Sequence, residues 1–142
     1  MLSTPDHESS SEVLKDEEQN IALLVVDHGS KRSEANDMLV DITNMIQSRT
    51  ENPVYFAHME LAAPSINDGV QSCVQGGAKH IVVVPFFLSP GRHATTDIPQ
   101  LTAEAIKGFP EVSYEVRPPI GTHPGIIDVI LDRAGLIESK PS

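Results

Sequence analysis

The segment HIVVVPFFL, residues 80–88, is the most apolar stretch of this 142-residue chain and decides its fold. A second apolar run, IALLVVD, occupies residues 21–27. A strand has an unbroken apolar sequence when both of its faces are buried, as in a parallel sheet that helices cover on both sides. We therefore predict that these two segments are the central strands of such a sheet.

Around these runs, strand patterns alternate with helix patterns. Two further strands are predicted, PVYFAHME at residues 53–60 and VSYEV at residues 112–116. Apolar side chains at helical spacing predict four helices: residues 33–49, 64–77, 96–109 and 123–135. This alternation predicts one α/β domain with a four-stranded parallel sheet flanked by helices. Right-handed crossovers favour the flavodoxin-like strand order 2-1-3-4.

The helix patterns also predict part of the hydrophobic core. Met38 and Met45 lie among the apolar residues of the first predicted helix, and Cys73 shares a face of the second with Val70. We expect the side chains of Met38, Met45 and Cys73 to be buried. Because Cys73 is the only cysteine, the chain has no internal disulfide and no cysteine-based zinc or iron–sulfur site of its own.

The charge distribution excludes some classes of partner. Ten basic residues against 20 acidic ones give a formal net charge of -10, which argues against nucleic acid. No apolar run approaches the roughly 18 residues of a membrane span, so no membrane partner is expected. Residues 1–19 are polar and acidic and are expected to form a disordered leader, and residues 138–142 a flexible tail. The folded domain is therefore assigned to residues 20–137.

A ligand is expected at the carboxyl ends of the strands. In an open parallel sheet, ligands bind beyond these ends where the strand order reverses, here between the first and third strands. His28 follows the first strand, His93 follows the third through a loop, and Glu60 ends the second. Two imidazoles and a carboxylate suit a first-row divalent metal such as Fe, Co, Ni or Zn. The sequence therefore predicts a metal site at this rim.

Structural explanations of the same residues stay open. A single histidine after a strand is often a loop residue with a satisfied hydrogen bond, and Glu60 can be a solvated strand end. His58 alternates with Glu60, and His123 follows the fourth strand, so each either joins the site or stands apart from it. His80 opens the third strand at the opposite rim and is expected to be structural.

Four motifs resemble those of the small class II sirohydrochlorin chelatases, the CbiX and SirB type. They are HGS at residues 28–30, AHMELAAPSI at 57–66, VVVPFFLSPGRHATTDIP at 82–99 and PPIGTHPGI at 118–126. The third motif is long and specific, and the resemblance covers about residues 21–133. The second motif is most similar to the plant and algal ferrochelatases that make siroheme.

The resemblance implies a chelatase fold that inserts a divalent metal, Fe²⁺ in the first place, into a sirohydrochlorin-type tetrapyrrole without ATP. It implies that His28 and His93 bind the metal and that His28 also accepts the pyrrole protons. The substrate-contacting residues that it implies are Glu60, Leu88, Ser89, Pro90, Gly91, Arg92 and His93. It further implies a homodimer of two short chains, in which residues 20–137 form the chelatase domain.

Two departures from the family pattern are visible. Many relatives have GHGS where this chain has Asp27 before His28. Plant relatives also carry a cysteine-rich C-terminal extension for an iron–sulfur cluster, whereas this chain ends in LIESKPS, so no such cluster is expected.

Alternatives to an iron chelatase stay open. Iron, cobalt and nickel chelatases share these motifs, so a cobalt- or nickel-chelatase is one alternative and a non-catalytic metal or tetrapyrrole carrier is another. Arg92, Lys31 and Arg32 lie in the rim loops and are candidates for contacting the eight carboxylates that the family's substrate carries. Because the start of the chain is neither a secretory signal nor an intact transit peptide, the expected compartment is the cytoplasm or the plastid stroma.

Overall fold

A computed structural model describes residues 20–137 of the chain, so the predicted leader (1–19) and tail (138–142) lie outside the described residues. The strands are Ile21–Asp27 (β1), Val54–His58 (β2), His80–Pro85 (β3) and Ser113–Val116 (β4). The helices are Ser33–Gln47 (α1), Ile66–Gln75 (α2), Ile98–Ile106 (α3) and Pro124–Arg133 (α4). One π-helical turn, His93–Asp97, directly precedes α3.

The four strands form one parallel sheet in the order β2-β1-β3-β4, which confirms the predicted order. The register places Asp27, the last residue of β1, opposite His58, the last residue of β2. Val26 of β1 lies opposite Pro85, where β3 ends. The carboxyl ends of the three strands therefore reach the same rim at nearly the same height.

The hydrophobic core lies between the sheet and helices α2 and α3. Leu24, Ile81 and Val83 of the central strands are fully buried against Cys73 and Ile98. Burying a side chain the size of leucine or isoleucine contributes about 1.5–3 kcal/mol, so these contacts are a main source of stability. Cys73 is buried as predicted, and this burial raises the pKa of its thiol to about 12 because desolvation disfavours the thiolate.

The prediction that Met38 and Met45 lie in the core is wrong, since 51% and 62% of their surfaces are exposed. Helix α1 packs mainly against the edge strand β2. Its buried residues are Leu39 and Thr43. An edge strand covers only a narrow strip of a helix, so the outer part of a wide apolar stripe stays in solvent.

The predicted third helix begins earlier than the sequence indicated. The backbone N–H of Ile98 donates to the carbonyl of His93, an i to i+5 bond that places a π-helical turn before α3. Pro99 lies in the first turn of α3, a position that proline favours. His93 is therefore the first residue of a helical segment and not the end of a loop.

Helix α2 begins two residues after the predicted start at residue 64. Ser65 caps the helix, its Oγ accepts from the Asp68 N–H at 3.1 Å, and the Asp68 carboxylate accepts from the Ser65 N–H at 3.1 Å. No helix within residues 20–137 is long and apolar enough to cross a membrane.

Candidate functional site

The ends of β1 and β2 stay hydrogen-bonded beyond the sheet. The N–H of Met59 donates to the Asp27 carbonyl at 2.8 Å, and the N–H of Glu60 donates to the His28 carbonyl at 3.0 Å. Gly29 lies against this extension with φ +94°, and a Cβ there would stand 1.8 Å from the Glu60 carbonyl oxygen. Only glycine fits such a position, and the close approach holds His28 beside Glu60.

His28 and Glu60 face each other across the rim. The His28 Nδ1–H donates to the Gly29 carbonyl oxygen at 3.1 Å, so Nε2 carries the lone pair in this tautomer. Nε2 lies 3.5 Å from the Glu60 carboxylate, longer than a good hydrogen bond. Two ligand atoms at about 2.1 Å from one tetrahedral metal ion stand about 3.4 Å apart. The separation thus suits a pair of donors to one cation.

His93 completes the group from the other side of the strand-order reversal. Its ring centroid lies 4.9 Å from that of His28, with the two planes at 75°. Its Nδ1–H donates to the carboxylate of Asp97, four residues later at the end of the π-helical turn, at 2.8 Å. The side chains of His28, Glu60 and His93 are 43%, 50% and 46% exposed, so a ligand can reach them from solvent.

A cavity of about 440 Å³ opens beside this group. That volume falls within the usual range of small-molecule sites. Its lining residues are Met59, Glu60, His93, Asp97, Gln100, Leu101 and Glu104. Three of them are carboxylates, and this lining contains no lysine or arginine. The electrostatics of the cavity therefore favour a cation.

The loop predicted to contact substrate lies next to this cavity and does not line it. Leu88, Ser89, Pro90, Gly91 and Arg92 are all exposed, and Leu88 shows 69% of its surface to solvent. The loop runs from the β3 exit to His93, so it presents an apolar side chain and a guanidinium at the same rim.

The other histidines of residues 20–137 do not join the group. His58 is buried, and its Nδ1–H donates to the Asp27 carboxylate at 2.6 Å. His123 caps α4, where its Nδ1 accepts from the Gly125 N–H at 2.9 Å. His80 contacts the Ser113 hydroxyl at 2.7 Å at the opposite end of the sheet. Each of the three has a structural partner.

Sequence reasoning missed the contribution of the helical segment after His93. Asp97, Gln100, Leu101 and Glu104 line the cavity with His93. These residues lie four, seven, eight and eleven positions after His93, which is the spacing of one helical face. Helical spacing counted from His93 would have identified them, but only with the knowledge that the helical segment begins at His93.

The predicted ligands His28, Glu60 and His93 lie close together, but their side chains do not converge on one metal position. Within the part of the chain that the structure describes, no group of three or more His, Cys, Asp or Glu side chains is arranged to hold a metal ion. His28 and Glu60 form a pair of potential metal ligands, and the ring centroid of His93 lies 4.9 Å from that of His28.

Comparison with known proteins agrees with the motifs. The family model CbiX matches residues 22–135. "Sirohydrochlorin ferrochelatase, chloroplastic" of Arabidopsis thaliana is 52% identical over 112 residues, which are 78% of this chain and 50% of that protein. "Sirohydrochlorin cobaltochelatase" of Methanocaldococcus jannaschii is 31% identical over 138 residues, covering 80% of this chain and 96% of that protein.

A solved structure shares the fold. SirB from Bacillus subtilis with Fe3+ superposes with a TM-score of 0.77 at 29% identity, covering 85% of this chain and 48% of that one. The chain thus spans about half the length of the Arabidopsis and Bacillus relatives and nearly all of the archaeal one. With a family model matched over most of its length, the chain belongs to the CbiX family.

Proposed function

We propose that this protein is a sirohydrochlorin ferrochelatase, which inserts Fe²⁺ into sirohydrochlorin to give siroheme. The observation that carries the proposal is the placement of His28, Glu60 and His93 at one sheet rim, inside the motifs of a chelatase family. The donors are half exposed, as a site that must pass its metal on requires.

The reaction exchanges one metal ion for two protons. A divalent ion loses water, enters the ring and binds four nitrogens, while the two pyrrole N–H groups release their protons. The metal must be held weakly enough to leave, which suits a few donors of mixed type. The protons need an acceptor that works near neutral pH, and imidazole is the side chain suited to that task.

His28 serves both needs in this proposal. The hydrogen bond from Nδ1 to the Gly29 carbonyl fixes the ring and leaves Nε2 to bind the metal or accept a proton. Glu60 faces the same atom and stabilises either positive charge. The acidic cavity provides the approach for the hydrated metal, and the exposed loop with Leu88 and Arg92 provides an apolar contact and a positive charge for a flat, carboxylate-rich ring.

Iron is proposed ahead of cobalt or nickel because the ferrochelatase of Arabidopsis thaliana is 52% identical to this chain, against 31% for the archaeal cobaltochelatase. Nitrogen and carboxylate donors do not themselves separate these metals. The chloroplast in the name of the Arabidopsis protein supports the plastid stroma, with the cytoplasm as the other compartment.

The test is anaerobic absorbance of sirohydrochlorin mixed with the protein and Fe²⁺, Co²⁺ or Ni²⁺ in turn, without added ATP. We expect insertion to be fastest with iron. His28→Ala should lower the rate by at least about 100-fold, since general-base catalysis alone is typically worth 10²–10⁴-fold. Circular dichroism of the variant should match the wild type, because His28 lies at the rim and outside the core.

Each other outcome points to a different function. A preference for cobalt or nickel would reassign the metal. Binding of sirohydrochlorin without faster insertion of any metal would indicate a carrier and contradict the enzymatic role. Wild-type turnover by His28→Ala would remove that residue from the mechanism.

We also propose that the protein acts as a homodimer. Helix α4 has no buried residue, and it exposes Ile127, Val129 and Ile130. Exposed apolar side chains on one element are typical of an interaction surface. The matched part of this chain covers about half of the Bacillus relative, and a second copy would supply the equivalent of its other half.

The dimer is tested by light scattering coupled to gel filtration. The wild type should give twice the chain mass of 15.4 kDa. The double variant Ile127→Asp, Ile130→Asp should give a monomer, because it places two charges in the apolar contact. Met38→Asp, at an exposed apolar position on α1, is the matched control and should stay dimeric. A monomeric wild type would contradict the proposal, as would a dimeric α4 variant.

A further inference from the structure

Within residues 20–137, the hydrogen-bond partner of the Asp97 carboxylate is the imidazole of His93. Its Oδ2 lies 2.8 Å from the His93 Nδ1. Asp97 precedes α3 at the capping position, yet its side chain makes no capping hydrogen bond. Among the described residues, no lysine or arginine forms an ion pair with it. The carboxylate is thus not engaged in a cap or a surface ion pair.

The turn that carries the pair is anchored in the core. Ala94 and Ile98, each one residue after a member of the pair, are 4% and 0% exposed. Residues four apart lie on the same face of a helical segment, so burying Ala94 and Ile98 fixes the adjacent face, on which His93 and Asp97 lie. The backbone that carries His93 and Asp97 is therefore held in place by packing.

The contact selects one form of the imidazole. A carboxylate oxygen only accepts, so Nδ1 must carry the proton and Nε2 must carry the lone pair. A lone pair on Nε2 is what a metal ligand needs, and a carboxylate behind a ligating histidine fixes its tautomer and orientation and raises its basicity.

We propose that Asp97 is the positioning residue of His93, holding its ring and tautomer so that Nε2 is presented to the metal substrate. This inference rests on the proposed function for its biological meaning. It can be tested without tetrapyrrole, because it concerns metal binding by this chain alone. The Gly29 carbonyl accepts the corresponding hydrogen bond from the Nδ1–H of His28, so the two histidines are oriented by two different acceptors.

The first measurement is the affinity of the purified protein for Co²⁺, followed by visible absorbance under anaerobic conditions. Asp97→Ala should weaken Co²⁺ binding by about 10–100-fold, the usual cost of losing an outer-shell partner. Asp97→Asn should weaken it as well, since an amide can donate to Nδ1 and so stabilise the wrong tautomer. In insertion assays, either variant should raise the KM for metal and leave the KM for sirohydrochlorin unchanged.

The second measurement reads the tautomer directly. In protein with ¹⁵N-labelled histidine and no metal, the two-bond nitrogen–proton spectrum should show wild-type His93 protonated at Nδ1. In Asp97→Ala, the same ring should shift towards the Nε2–H form. A purely structural role for Asp97 would leave this spectrum unchanged.

Glu104→Ala is the matched control. It removes a carboxylate from the same cavity, where Glu104 pairs with Lys107 at 3.3 Å and does not contact His93. It should lose less Co²⁺ affinity than Asp97→Ala, because it removes one charge from the cavity and leaves the partner of His93 in place. An equal loss in Glu104→Ala would assign the effect to cavity charge and overturn the proposal. Unchanged Co²⁺ affinity in Asp97→Ala, or a wild type that binds no Co²⁺, would also overturn it, even if insertion activity is present.

Discussion

The two shortest histidine–carboxylate pairs among the described residues lie in different environments. His58 and Asp27 meet at 2.6 Å at the ends of β1 and β2, with 1% and 19% of their side chains exposed. His93 and Asp97 meet at 2.8 Å at the rim, with 46% and 32% exposed. Both histidines use Nδ1 for the contact, so the bonding chemistry is the same.

The difference in burial separates their roles. A buried polar side chain such as that of His58 needs a partner inside the protein, because water cannot reach it. His58 therefore ties the end of β2 to that of β1 and has no route to a ligand. The rim pair faces solvent on one side, so the free Nε2 of His93 stays available. The same kind of hydrogen bond therefore stabilises the fold at His58 and orients a proposed metal ligand at His93.

The largest expected effect comes from breaking the buried pair. His58→Ala should lower the free energy of unfolding by about 3 kcal/mol, because it leaves a cavity and removes the donor to a largely buried carboxylate. His93→Ala should lower it by less than about 1 kcal/mol, since its pair is exposed. Urea unfolding of both variants measures the difference.

Double-mutant cycles with Asp27→Ala and Asp97→Ala complete that test. The coupling energy of the buried pair should exceed that of the rim pair. Equal losses of stability for His58→Ala and His93→Ala would show that burial does not distinguish the two pairs.

A smaller effect is expected at Cys73, which reports on the buried region. Burial raises the pKa of its thiol to about 12, so at pH 8 the native protein holds almost no reactive thiolate and should label slowly with iodoacetamide. Asp97→Ala should keep this rate within about twofold of the wild type. His58→Ala should increase it, since opening the core costs less in that variant.

Labelling in urea provides the reference rate for the fully open thiol. If Asp97→Ala accelerated labelling as much as His58→Ala, the rim pair would be part of the stability of the core. The separation of the two roles would then be wrong.

Much of the fold could be predicted from sequence because its central strands are continuous apolar runs. Those runs fixed the parallel sheet, and the sheet placed the exits that carry His28, Glu60 and His93 at one rim. The burial of Cys73 was predicted from the helical spacing that places it on one face with Val70. Met38 and Met45 could not be placed, because periodicity shows which face of α1 is apolar and not how much of that face a neighbour covers.

The site was less predictable because it depends on where elements end. His58 alternates with Glu60 in sequence, but β2 ends at His58, so the alternation does not extend to Glu60. Asp97 is recognisable as a partner of His93 only when the helical segment is known to begin at His93. Boundaries of this kind are set by tertiary hydrogen bonds that local sequence does not encode.

Gly29 and Gly91 mark opposite limits for engineering this protein. A single methyl group at residue 29 collides with the Glu60 carbonyl, whereas at residue 91 it meets nothing within 4 Å. Mutant libraries aimed at a different tetrapyrrole or metal should therefore leave residue 29 constant and diversify the loop around residue 91. The same rim thus combines one position with no room for a side chain and a neighbouring position with room for one.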